Sequence, residues 1–100
     1  MTSLSRLASA ARRLVPAELD ETRSAAKHRV VVQCGVIWEL AFPIKPSMEE
    51  LSKAVSVSKS YAAKCLADWR ELPWQDRYAW LQLGERRARE TDTVDAAVLR

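Results

Sequence analysis

Catalysis needs reactive groups that converge, and the chemistry-bearing residues of this chain are few and scattered. His28 is the single histidine. It sits in the basic run Lys27-His28-Arg29 of a predicted helix, where a surface or partly buried side chain is the plainer reading than a ligand. Cys34 and Cys65 have no His or second Cys at metal-ligand spacing, and each lies among apolar residues, where a reduced thiol behaves as a small hydrophobe. There is no glycine-rich loop and no pair of carboxylates with an obvious pocket, so the pattern predicts neither an enzyme nor a nucleotide, metal or cofactor site. The polar residues left to consider are the serines and lysines between positions 47 and 64, and their use depends on the elements that hold them.

One hundred residues with 48% hydrophobic and 29% charged content describe one small globular core. A domain of this size leaves much of its surface in water, which makes pairing with a second copy a natural source of stability, and a homodimer is expected. The net charge is +3 and unevenly spread. Arg12 and Arg13 form one basic group, Lys27, His28 and Arg29 a second, and Arg86, Arg87 and Arg89 a third. Such an excess is compatible with phosphate binding without establishing it, because charge runs are commonly solvated faces. Arg6, Arg12 and Arg13 interrupt residues 2–15 before a secretory signal can form, and no apolar run reaches the length of a membrane span. With two unpaired thiols, these features predict a soluble cytoplasmic protein with no membrane partner.

Two glycines and four prolines, at positions 16, 43, 46 and 73, punctuate a sequence otherwise patterned for helices. The fold class expected is all-α, a small helical bundle. Leu4, Leu7, Ala11 and Leu14 recur at helical spacing over residues 3–14. Pro16, followed by Ala17, Glu18 and Asp20, resembles a second helix start, with carboxylates suited to the first turn, and that helix would continue to about Leu40. Within it Val30, Val31, Val32, Val36 and Ile37 also suit a buried strand, which periodicity does not separate from a buried helix; helix is preferred. The segment Phe42-Pro43-Ile44-Lys45-Pro46 bars a regular helix and makes a corner. The chain then divides into an N-terminal helical region over 1–46, holding an arm and a supporting or dimerisation helix, a second region over 47–90, and a tail over 91–100.

Ser47 stands three residues before Glu50, the spacing at which each side chain satisfies an amide left open at a helix start. Leu51 and Val55 give that helix its apolar side, Ser56, Val57 and Ser58 break the pattern, and residues 59–70 resume it. Residues 50–66, ELSKAVSVSKSYAAKCL, resemble the helix-turn-helix superfamily of bacterial and phage regulators over about a fifth of the chain. Leu51, Val55, Val57, Ala62 and Cys65 occupy the family's apolar offsets, and Ser52 its small one. Ser56 stands where the family usually has glycine, at a position that often requires a positive φ. Ser58 looks like the cap of the second helix. The resemblance implies that this second helix enters the major groove of double-stranded DNA. Lys59, Ser60, Ala63 and Lys64 would then face DNA: the lysines reach phosphate or guanine, Ser60 reaches either, and Ala63 allows close approach. Ser47 and the amide end of the first helix would hold a phosphate, with Lys53 a weaker phosphate contact, and Ser58 is counted among the DNA-binding residues. Tyr61 is open between packing and a phosphate contact.

Trp69, Trp74, Tyr78 and Trp80 crowd the region after the motif, and Pro73 suits a last helix that ends near Gly84 or runs to Glu90. The favoured reading makes these aromatics the clamp that packs the last helix onto the motif, ahead of an interaction surface. Val94, Ala97 and Val98 give the tail a helical apolar pattern that would dock or fray. The function expected is a sequence-specific regulator, a repressor acting as a dimer on a palindromic operator. The alternative is a protein-interaction module, such as a phage-encoded inhibitor that grips a host protein partner through a basic helical surface.

Overall fold

The computed structural model describes the backbone of residues 4–41 and 44–98, and the side chains within those ranges up to residue 90. Five helices and no strand occur among the described residues: α1 (Leu4–Leu14), α2 (Arg23–Leu40), α3 (Met48–Val55), α4 (Lys59–Glu71) and α5 (Trp74–Val98). The protein is all-α, as the sequence pattern predicts. The β-branched stretch of α2 is helical, and the reason its periodicity is ambiguous is plain. Residues 30–37 are buried without a break, so α2 is covered on every side at its centre and has no polar face to give a rhythm. Gln33 is buried with them because its amide donates to the Val15 carbonyl at 3.2 Å.

The second helix does not begin at Pro16. Residues 15–22 run as irregular chain, and α2 starts at Arg23 because the Thr22 hydroxyl accepts from the Ala25 N–H at 3.1 Å, a capping bond that Pro16 and its neighbours have no means to replace. Arg29 fastens this segment by gripping both carboxylate oxygens of Glu21, with contacts of 2.8 to 3.2 Å. That guanidinium holds the Glu21 carboxyl below the usual range. Of the expected corner after α2, Phe42 and Pro43 lie outside the described residues, Ile44 and Lys45 are exposed, and Pro46 is buried.

One core draws on all five helices, with Leu7 and Ala11 of α1, Val32, Val36 and Ile37 of α2, Leu51 of α3, Leu66 and Trp69 of α4, and Ala88 of α5. Helix α2 packs chiefly on α4, and α1 chiefly on α5. Both glycines serve that packing. A Cβ on Gly35 would fall inside the Trp69 indole, so α4 reaches α2 only because residue 35 has no side chain. Gly84 does not stop α5, which continues to Val98. A Cβ there would stand 2.6 Å from Val36 Cγ1, and the glycine admits α2 against the middle of α5. The side chains of the tail positions Val94, Ala97 and Val98 lie outside the described residues.

The aromatics divide rather than form one clamp. Trp69 is fully buried and Trp80 half-buried in an edge-to-face contact with His28, but Trp74 is 60% and Tyr78 48% exposed. The difference follows from position along the helix: Trp74 shares a line with Leu81 and Ala88, but the α5 side chains that pack on the core begin at Trp80. Among the described residues no helix is long and apolar enough to cross a membrane.

The Gly35 contact yields a test with an unusual sign. Helix propensity alone favours alanine over glycine by about 1 kcal/mol, whereas overpacking destabilises by about 1–3 kcal/mol. Gly35→Ala is expected to lower the urea unfolding midpoint; an unchanged or raised midpoint would contradict the close approach of α2 and α4.

Candidate nucleic-acid interface

Helices α3 and α4 are joined by residues 56–58, and local bonds set the angle between them. Ser47 caps α3 in a reciprocal pair: its hydroxyl accepts from the Glu50 N–H at 3.1 Å, and its own N–H donates to the Glu50 carboxylate at 3.0 Å. The Ser47 N–H, and after it the Ser47 hydroxyl, holds the Glu50 carboxyl below the usual range. At the other end Ser56 is left-handed, at φ 59° and ψ 46°. Its N–H reaches the Lys53 carbonyl at 3.3 Å, and the Val57 N–H reaches the Ser52 carbonyl at 3.0 Å. This double closure satisfies the last carbonyls of α3 and folds half-buried Val57 back toward the core. The Ser58 hydroxyl then accepts from the Tyr61 N–H at 3.2 Å and starts α4.

The buried side of α4 consists of Ala62, Cys65, Leu66 and Trp69. Its opposite side exposes Lys59, Ser60, Ala63, Lys64, Ala67, Arg70 and Glu71. Four of the predicted site residues, Lys59, Ser60, Ala63 and Lys64, therefore share one open face, with exposed Ser58 at its start. Ser58, Ser60, Tyr61 and Lys64 line a shallow hollow of about 310 Å³. Neither Lys59 nor Lys64 has an ion-pair partner among the described residues.

The α3 residues of the predicted set are placed differently. Ser47 has both its hydroxyl and its amide engaged by Glu50, and Glu49 and Glu50 put two carboxylates in the first turn. Lys53 is exposed but lies 3.4 Å from Glu49. The outward side of α3, formed by Glu49, Glu50 and Lys53, thus carries more negative than positive charge. A phosphate would meet repulsion there, while the open face of α4 offers it cations.

Several other candidate groups are committed internally, although Arg12 and Arg86 are not. Lys27 pairs with Asp68 at 3.1 Å and ties α2 to α4. Arg13 donates to the Arg87 carbonyl at 2.9 Å, Arg87 pairs with Glu90 at 2.8 Å, and Arg89 lies 3.9 Å from Glu85. Tyr61 is half-buried beside the Cys65 thiol, and burial raises its pKa. Burial pushes the Cys34 thiol up to about 12, far from the thiolate a nucleophile requires. Among the described residues no group of His, Cys, Asp or Glu is placed to hold a metal ion.

Sequence reasoning passed over Arg70, which continues the open face eleven residues after Lys59, nearly in line with Lys59 and Ala63. Helical periodicity alone is signal enough to find it. Compared with protein-family models, with curated proteins and with solved structures, the chain has no match.

Ser56 offers a direct check of the turn. A left-handed conformation strains a residue with a Cβ, and the penalty is about 1–2 kcal/mol. Offset by the greater chain entropy that glycine loses on folding, Ser56→Gly is expected to stabilise the protein by roughly 0.5–1 kcal/mol in urea unfolding. Ser56→Val is expected to destabilise it, and the reverse order would rule out this turn geometry.

Proposed function

We propose that this chain is a double-stranded DNA-binding regulator in which α3 and α4 form a helix-turn-helix and the open face of α4 enters the major groove. The observation that carries the proposal is the gathering of Lys59, Ser60, Ala63 and Lys64 on one exposed face, with both lysines unpaired among the described residues. A major groove about 12 Å wide admits one helix, and base edges there present distinct donors and acceptors. Lys59 and Lys64 donate to guanine or phosphate. Ser60 donates or accepts, and the methyl of Ala63 fits close approach or a thymine methyl. Ser58 holds the start of the helix at the groove edge, and its exposed position lets backbone phosphate approach the α4 N-terminus. Ser47 and Lys53 serve the structure of α3 first.

The chemistry proposed is binding rather than catalysis, in the cytoplasm, with repression by occupancy of an operator. Two copies related by a two-fold axis would place two α4 helices on successive turns of a palindromic site. A second reading is favoured by one observation, the exposed aromatic pair Trp74 and Tyr78, whose ring centres are 5.5 Å apart, with the Arg77 guanidinium 5.9 Å from the Trp74 ring. This is the composition of a protein-contact surface. In the DNA-binding proposal it joins two copies; in the alternative it grips another protein and α4 is merely solvated.

The two readings separate in an anisotropy titration against duplex DNA from around the chain's own gene, with random duplex as competitor. Lys59→Ala and Lys64→Ala are each expected to weaken binding about tenfold, or ~1.4 kcal/mol, with the melting temperature unchanged. Lys53→Ala is expected to weaken it far less. Full-strength binding by both α4 variants, or no preference for duplex DNA in the unaltered chain, would remove the proposal.

A further inference from the structure

The open face of α4 does not end at Lys64. Arg70 lies about 16 Å beyond Lys59 along the helix at a rise of 1.5 Å per residue, on nearly the same line. A groove about 12 Å wide is narrower than that. A helix laid across it by its first two turns brings its last turn over the bounding sugar-phosphate strand.

That last turn carries a second cation from elsewhere in the chain. The Lys45 ammonium, from the segment leading into α3, stands 4.9 Å from the centre of the Trp38 ring, and the Arg70 guanidinium stands 5.9 Å from the same centre. Trp38 is half-buried on α2, whereas Lys45 and Arg70 are exposed. Three elements thus bring two positive groups onto one indole. Neither cation has an ion-pair partner among the described residues. Like charges gathered without a counterion repel, and the ring fixes their positions while leaving their donors outward. Glu71, the neighbouring carboxylate on α4, lies seven residues past Lys64 and so along the other edge of the face.

We infer that Lys45 and Arg70, seated on Trp38, form a phosphate site that holds the DNA backbone at the far end of α4. The inference rests on the proposal that α4 faces DNA. Its ligand is the phosphodiester oxyanion, which accepts hydrogen bonds from the guanidinium and the ammonium. The site adds affinity and fixes register without reading bases.

The test uses the full chain and measures anisotropy over a salt series with two duplexes, one from around its own gene and one random. Lys45→Met and Arg70→Met remove the charges while leaving an apolar stem to cover Trp38, so a folding defect is avoided. Each is expected to reduce the slope of log affinity against log salt by about 0.9, and the pair by about twice that. Affinity for both duplexes should fall by the same factor. An unchanged slope in the double variant, when Lys59→Ala and Lys64→Ala still weaken binding, overturns this site and leaves the α4 proposal standing. A loss confined to the own-gene duplex means base contact and overturns the backbone assignment. No duplex binding by the unaltered chain overturns both.

Discussion

The contact between Gly35 and Trp69 is the constraint on which the rest of this small protein depends. An indole lies where a side chain would otherwise stand, so α2 and α4 meet more closely than any other residue at position 35 allows. Trp69 is fully buried, and its indole N–H has no acceptor among the described residues. Burying an unmet donor costs about 1–3 kcal/mol, which the large apolar area of the ring must offset. Once Trp69 is seated, Ala62, Cys65 and Leu66 face inward with it. Lys59, Ser60, Ala63 and Lys64 have no other direction than solvent. The open face of α4 is thus a consequence of core packing.

The second constraint is electrostatic and local. A net charge of +3 says little about where an anion would settle. The structure distributes that charge by pairing: Lys53 with Glu49, Lys27 with Asp68, and Arg29 with Glu21. Besides Arg12, Arg23 and Arg86 on other helices, the cations left without an ion pair among the described residues include Lys59, Lys64, Lys45 and Arg70, which gather on α4 or beside its last turn. Neighbouring α3 presents mostly carboxylate. A polyanion approaching this surface meets attraction along one helix and repulsion along the next, which favours one docking orientation over others.

Much of the fold was legible because its signals are local. Ser47 with Glu50 announces a helix start, and Ser58 another, each through bonds three residues long. Proline marks two boundaries. Ser56 marks the turn only by what it replaces, since nothing in its own chemistry predicts a left-handed conformation. What was not legible is what tertiary contact decides. Gly84 looks like a stop and is a packing position in mid-helix. Pro16 looks like a start, but Thr22 supplies the working cap. Trp74 and Tyr78 look like core and stand in solvent, because the part of α5 that packs on the core begins at Trp80. At the candidate site the exposed α4 residues were read from the resemblance of residues 50–66 to the helix-turn-helix pattern. The engagement of Ser47 was half readable from its capping spacing, and the meeting of Lys45 with Arg70 on Trp38 was not readable at all, since it joins residues far apart in the chain.

The central claim is that the exposed face of α4 is where this protein meets its ligand. Amide chemical shifts of the isotope-labelled chain, followed through a titration with duplex DNA from around its own gene, address it directly. The account predicts the largest changes at residues 58–64, smaller ones near Lys45 and Arg70, and little along Glu49, Glu50 and Lys53. Changes concentrated at Trp74 and Tyr78 with α4 silent, or no change at any amide, would contradict it.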